Sequence, residues 1–278
     1  MTLTMASFVL YSLLTCSLLI RLTYAHSWVE RLMRVELNGT LVGPEGYIRG
    51  AVSRQDPGFR DEQMQNRIIP DDALYDDHIC KSTQRASNYS IQFPWLAAHP
   101  GDLVAVQYQE NGHVTLPDEV LKPSSGWVYI YGTSRSLKSD RLSEIHKVWN
   151  EEGNGGDQRG RLLAIRPFDD GRCYQINQEI ISSTRQRTFA KTAQDPQGAD
   201  LWCQNDFRLP LDIQNKYTIY WVWDWPSRPS SEFPKGKSEI YTSCADIHLL
   251  RGGKNEQVVF IPGQDLNAAA IQEQIEGR

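Results

Sequence analysis

An all-β protein is predicted by three observations. Apolar residues recur at every second position far more often than at helical spacing, and Gly, Pro and Asp punctuate the alternating runs. The strongest run is KYTIYWVWDW (216–225), whose alternation sets Tyr217, Ile219, Trp221, Trp223 and Trp225 on one face and Tyr220 and Val222 on the other, the pattern of a core strand. No internal repeat or low-complexity tract competes with this reading.

Residues 27–37 form the first expected strand, ended by Asn38-Gly39. Residues 43–67, rich in Gly, Pro, Arg and Gln, are expected as a long surface loop. Pro100-Gly101-Asp102 turns the chain into LVAVQY (103–108), where Val104, Val106 and Tyr108 share a face, and GWVYIYG (126–132) is the next strand. Residues 133–160 are charged and Gly-rich, with only 145–149 expected to be structured. LLAIRPF (162–168) and CYQINQEII (173–181) are further candidate strands, 182–205 a polar connection, and EIYTSCADIHLL (239–250) the last long strand.

Residues 1–25 read as a signal peptide: the apolar run 7–20 is too short for a membrane span, and Thr23-Tyr24-Ala25 supplies the small residues of a cleavage site. Residues 26–262 of the 278 then form one secreted domain, long enough to bury a core without a metal, and 263–278 a tail that is a short helix or disordered. The net charge is −5, and Arg21 leaves with the signal, so there is no basic field for nucleic acid or an anionic membrane. An uncharged, extended polymer is the more natural partner. Cys16 also leaves, and Cys80, Cys173, Cys203 and Cys244 are expected to form two disulfides, with three pairings open. Asn38-Gly39-Thr40 and Asn88-Tyr89-Ser90 are glycosylation acceptors suited to the same route.

Cleavage after Ala25 makes His26 the first residue of the mature chain. Its α-amine, with an ordinary pKa of about 7.7–8.0, yields its proton readily to a metal, so amine and imidazole together can chelate one ion. His113, in NGHVTLPD (111–118) just beyond a strand, is the second candidate ligand. Three nitrogens in a T suit tetragonal copper better than tetrahedral zinc, which would want a fourth strong ligand. Tyr241 is the best source of a weak axial oxygen, with Glu239 two residues back on the same strand face.

With these residues in view the chain resembles a family. His26 behind the signal peptide, PGDLVAVQY followed by NGH, VYIYG, HKVWNEEG, RLPLDIQNKYTIYWVW and EIYTSCADI run in the order of the blocks of fungal lytic polysaccharide monooxygenases of the cellulose-active type, over most of residues 26–250. The resemblance implies an immunoglobulin-like antiparallel β-sandwich with long loops. It also implies one copper ion, a polysaccharide substrate and an external electron donor in a secreted, monomeric enzyme that oxidises a glycosidic C–H bond. His26 and His113 correspond to the copper histidines, Tyr241 to the axial tyrosine, and Glu239 to the glutamine beside the reacting oxygen. Cys80 would pair with Cys244, which leaves Cys173 and Cys203 for each other. Tyr47 and Phe59 fall in a loop that, in the family, contributes to a flat polysaccharide-binding surface. Two departures stand out: Trp221 replaces a histidine and cannot shuttle a proton, and Val114-Thr115 stands where Gly-Pro follows the second histidine.

Two readings of other classes accompany this one: a copper-binding protein with the same brace, acting in copper acquisition or at the cell wall, and a secreted carbohydrate-binding sandwich in which His26 is incidental. His78 beside Asp76 and Asp77, His99, His146 and His248 read as loop, turn, connection and solvent-face residues. No nucleophile elbow, HExxH, P-loop or dinucleotide fingerprint occurs, and Asp71-Asp72 and Glu151-Glu152 read as solvated charge, not a glycosidase pair.

Overall fold

A computed structural model describes residues 26–69, 77–117, 122, 124–193, 195–231, 233–251 and 271–276; the expected signal peptide, Asp71, Asp72 and Asp76 lie outside them. The strands are β1 (Val29–Val35), β2 (Leu41–Gly46), β3 (Asn66–Ile68), β4 (Leu96–Ala98), β5 (Leu103–Tyr108), β6 (Trp127–Thr133), β7 (Gly160–Pro167), β8 (Cys203–Arg208), β9 (Lys216–Asp224) and β10 (Ile240–Leu249). Short helices are α1 (Leu142–Ile145), α2 (Ile180–Thr188) and α3 (Gln272–Glu276). One sheet runs β2-β1-β5-β8 and the other β3-β10-β9-β6-β7, with β4 added in parallel to the end of β10 and every other pairing antiparallel. The molecule is the expected β-sandwich.

Alternation decides which side chains meet between the sheets. Val104, Val106 and Tyr108 of β5 face Tyr217, Ile219, Trp221 and Trp223 of β9 across one core, which Trp225, just beyond the strand, extends. Tyr220 and Val222 point the other way, into a second core roofed by Ile79, Leu142, Ile145 and Trp149. Each fully buried aromatic contributes about 1.5–3 kcal/mol of apolar transfer, so these two layers dominate the stability. Disulfides join Cys80 to Cys244 and Cys173 to Cys203. The first spans 164 residues and ties the 77–80 segment to β10, worth about 5 kcal/mol on a chain-entropy reckoning.

Several elements differ from the sequence reading. The 43–67 loop begins inside an edge strand, β2, which tolerates Pro44 because an edge N–H needs no partner, and it ends in β3. Residues 173–181 do not form a strand. The Asp170 carboxylate accepts the N–H groups of Arg172 and Cys173 in a turn, Tyr174 makes only an isolated bridge to Leu201, and α2 follows. The polar 182–205 connection contains most of α2 and the start of β8. In β8, Gln204, Asn205 and Asp206 are buried and bonded to Gln107, Tyr108 and one another, so its polarity conceals a strand.

Candidate metal centre

The entry to β1 is held from two sides. Ser27 Oγ donates to the Gln109 carbonyl (2.8 Å), Asn111 Nδ2 to the His26 carbonyl (2.6 Å), and Val29 N–H to Ser243 Oγ on β10 (3.1 Å). His26 itself is half-buried, its ring 6.1 Å from Trp28 and its Nε2 against the Asp61 carboxylate.

His113 stands on the turn that follows β5. Gly112 sits there at φ +83°, a conformation that favours glycine. Buried Glu110 is the scaffold of this turn: one carboxylate oxygen accepts from Val114 N (2.8 Å), the other from the Thr115 hydroxyl and from Gln175 N (3.0 Å). The His113 ring is packed against Trp225 (4.6 Å), Trp223 (5.2 Å) and Phe168 (6.4 Å). Burial, reinforced by nearby His26, pushes its pKa down to about 3, so the imidazole is neutral and one nitrogen offers a lone pair. Its buried Nε2 has no hydrogen-bond partner.

Tyr241 reaches the same aromatic cluster from β10: its ring stacks on Trp223 at 5.0 Å, and its hydroxyl donates to Glu239 Oε1 (2.7 Å). Burial, with the adjacent Glu239 carboxylate, drives the phenol pKa far up and keeps it protonated. Glu239 also pairs with Arg67 (2.8 Å) and Lys122 (2.9 Å). Burial opposes its ionisation, but Lys122, Tyr241 and Arg67 outweigh that effect and hold the carboxyl below its usual range. Lys122 Nζ also lies 3.8 Å over the Trp225 ring, whose edge contacts include His113.

The four nominated residues thus belong to one neighbourhood: His113 lies within electrostatic reach of His26 and Glu239, and His113 and Tyr241 share Trp223 as a neighbour. Tyr47 stands apart from these four, and Phe59 borders His26 through Trp28. Tyr47 packs edge-on against Phe93 (5.0 Å) and lines a cleft of about 170 Å³ with Glu30, Arg31, Arg54 and Trp202, whereas Phe59 packs against Trp28 (6.3 Å) under Arg54. Trp221 is 1% exposed, its ring 5.3 Å from Tyr108 and its Nε1 without a partner. Among the other histidines, His99 pairs with Asp102 in a turn, His146 bonds Tyr131 and Asp224, and His248 is exposed, stacked on Trp95. Among the described residues the one cluster of three His, Cys, Asp or Glu donors is Asp170, Cys173 and Cys203, whose sulfurs are spent in a disulfide. Sequence reasoning did not single out Asp61, Arg67 or Lys122, which act through contacts remote in the chain, nor Glu110, which binds its own turn and Gln175.

Fold and site together define a β-sandwich protein with a histidine-lined candidate metal centre at one end of the sandwich. The chain belongs to the family described as a domain of unknown function, DUF7492, whose model matches residues 23–272. No curated protein matches the sequence. Among solved structures it is similar to a cellulose-active polysaccharide monooxygenase from M. thermophila (14% identity, 86% of each chain, TM-score 0.35) and to HiLPMO9B (12%, 86% of each chain, 0.36). A photoreduced polysaccharide monooxygenase is matched at 7% identity and TM-score 0.27, over 58% of this chain and 63% of its own length. At these identities and scores the functional reading rests on the chain's own residues.

Proposed function

We propose that this is a secreted mononuclear copper protein that cleaves polysaccharide chains oxidatively with an external electron donor. The observation that carries the copper reading is the orphaned Nε2 of His113, a neutral nitrogen buried without a partner beside His26. An unsatisfied buried acceptor costs about 1–3 kcal/mol, and a metal would recover that loss. In this reading cleavage after Ala25 frees the His26 amine, which chelates together with its imidazole. His113 would supply the third nitrogen, and Tyr241 a protonated, weakly donating oxygen. Copper, when bound there, supplies one-electron exchange and activation of an oxidant toward a C–H bond. Trp223, Trp225 and Phe168 shield the His113 side, and in this reading a substrate would approach from the half-buried His26 side. Tyr47 in its cleft and Phe59 are the nominated polysaccharide contacts. Exposed Asn38 and Asn88 suit glycosylation, and the two disulfides suit an oxidising, extracellular setting of a fungal, monomeric protein. Among the described residues no helix is long and apolar enough to cross a membrane.

A second reading, a copper carrier without monooxygenase activity, is favoured by one feature. Glu239 is engaged by Lys122, Arg67 and Tyr241, which leaves it less able to accept a hydrogen bond from a reacting oxygen. Electron paramagnetic resonance of the processed, copper-loaded protein tests the shared core of both: three-nitrogen tetragonal ligation is expected, and its absence refutes both. Reductant-dependent release of oxidised sugars from cellulose, xylan, chitin or β-glucan then separates enzyme from carrier.

A further inference from the structure

The chelate itself dictates which nitrogen of His26 must stay unprotonated. Closing a ring through the α-amine uses Nδ1, three bonds from Cα, and gives a six-membered chelate; Nε2 points away from the amine. A neutral imidazole carries one N–H and one lone pair, so a chelating His26 needs its proton on Nε2 and an acceptor there to hold it. That acceptor is present. The Asp61 carboxylate contacts His26 Nε2. We propose that Asp61 is a positioning residue for His26: it takes the Nε2 hydrogen bond, assigns Nδ1 to the metal, and leaves Nε2 unavailable to any substituent. This rests on the reading of His26 as a ligand.

Asp61 is itself oriented. It opens a 3-10 turn, Asp61–Gln63, whose backbone is closed by Met64 N–H donating to the Asp61 carbonyl (3.0 Å). Arg54 Nη1 lies 3.8 Å from its carboxylate, and the Arg54 guanidinium is fixed over Trp28 (4.3 Å) and bonded to Glu30 (2.5 Å). The bland alternative is an exposed ion pair. The two side chains are 26% and 33% exposed, and such pairs contribute little to stability, so stability measurements cannot discriminate. The tautomer can. An anionic acceptor on a ligating imidazole also raises its donor strength, which favours Cu(II) over Cu(I), and loss of such a partner typically lowers metal affinity about 10–100-fold.

The test starts with metal-free, processed protein and long-range ¹H–¹⁵N NMR of the histidine rings. The Nε2–H tautomer of His26 is expected in the wild type and a tautomer mixture in Asp61→Ala; a wild-type Nδ1–H tautomer overturns the proposal. Copper is then added. Asp61→Asn, which keeps an acceptor but not the charge, should retain the tautomer yet bind Cu(II) at least tenfold more weakly, and if Cu(I) affinity is unchanged the potential rises by about 59 mV per tenfold. Wild-type affinity and spectra in both variants, with circular dichroism confirming their fold, also overturn it. A wild type that binds no copper removes the brace reading, while the tautomer measurement still decides what Asp61 does.

Discussion

The two histidines of the candidate centre are held by opposite means. His113 is half-buried with its ring packed against Trp223 and Trp225 and its Nε2 buried, and its turn is folded around the buried Glu110 carboxylate. His26 is half-buried at the entry to β1 and held by polar contacts to Asn111 and Asp61. The difference teaches that one half of the centre is part of the fold's stability and the other is nearly independent of it. A neutral imidazole is held by aromatic packing, and a second histidine is brought near it by polar contacts.

The sharpest way to break this contrast is Glu110→Ala. It strands the N–H groups of Val114, Thr115 and Gln175, and is expected to destabilise the protein by about 3–5 kcal/mol in urea unfolding, because buried charge-assisted hydrogen bonds are lost together. His26→Ala should change stability by less than about 0.5 kcal/mol. Equal effects from the two would refute the contrast.

A third region, remote from both histidines, supplies a control on pH. Burial raises the pKa of Asp206 from about 3.8 to about 6, against the hydrogen bonds it accepts from Ile271 N and Gln204. Because the folded state holds this proton more tightly than the unfolded one, stability is greatest below pH 4 for this group and declines as pH rises toward 6, by about 2–3 kcal/mol in all. Asp206→Asn should lack that slope, so the stability difference between wild type and variant should change by about 2–3 kcal/mol across pH 4–7. A persistent slope would assign it to another group.

A smaller effect, at His113 itself, sharpens the comparison most. His113→Leu replaces an unsatisfied nitrogen with apolar volume in an aromatic cage, so the metal-free protein should gain about 1 kcal/mol while copper binding is lost. A marked loss of stability would show that the ring has a structural partner that the geometry does not reveal.

The strands that could be read directly were those with strict alternation. β9 and β5 lie where their apolar period demands, and the inward set Tyr217, Ile219, Trp221, Trp223 and Trp225 is the one observed. β8 could not be read, because Gln204, Asn205 and Asp206 look like loop residues until their partners on β5 are known. The 173–181 run looked like a strand, but local bonds to Asp170 bend it first. At the centre, His26, His113, Glu239 and Tyr241 were visible as donor types next to an expected cleavage site, just beyond a strand or on the last strand. Asp61, Lys122 and Arg67 were invisible, since nothing in their neighbours' sequence marks a carboxylate or cation that matters only across space.

Side-chain period and donor chemistry are local properties, carried by each residue and its immediate neighbours. They were therefore enough to dictate a β-sandwich, its principal core strands and the candidate ligand types. Which carboxylate meets His26, which turn presents His113 to the aromatic cluster, and whether Glu239 stands open or is enclosed by Lys122 and Arg67 were decided only by folding. Those contacts join residues dozens to more than a hundred positions apart, such as His26 with Asp61 and Lys122 with Glu239, and only the packed sheets bring them within hydrogen-bonding reach.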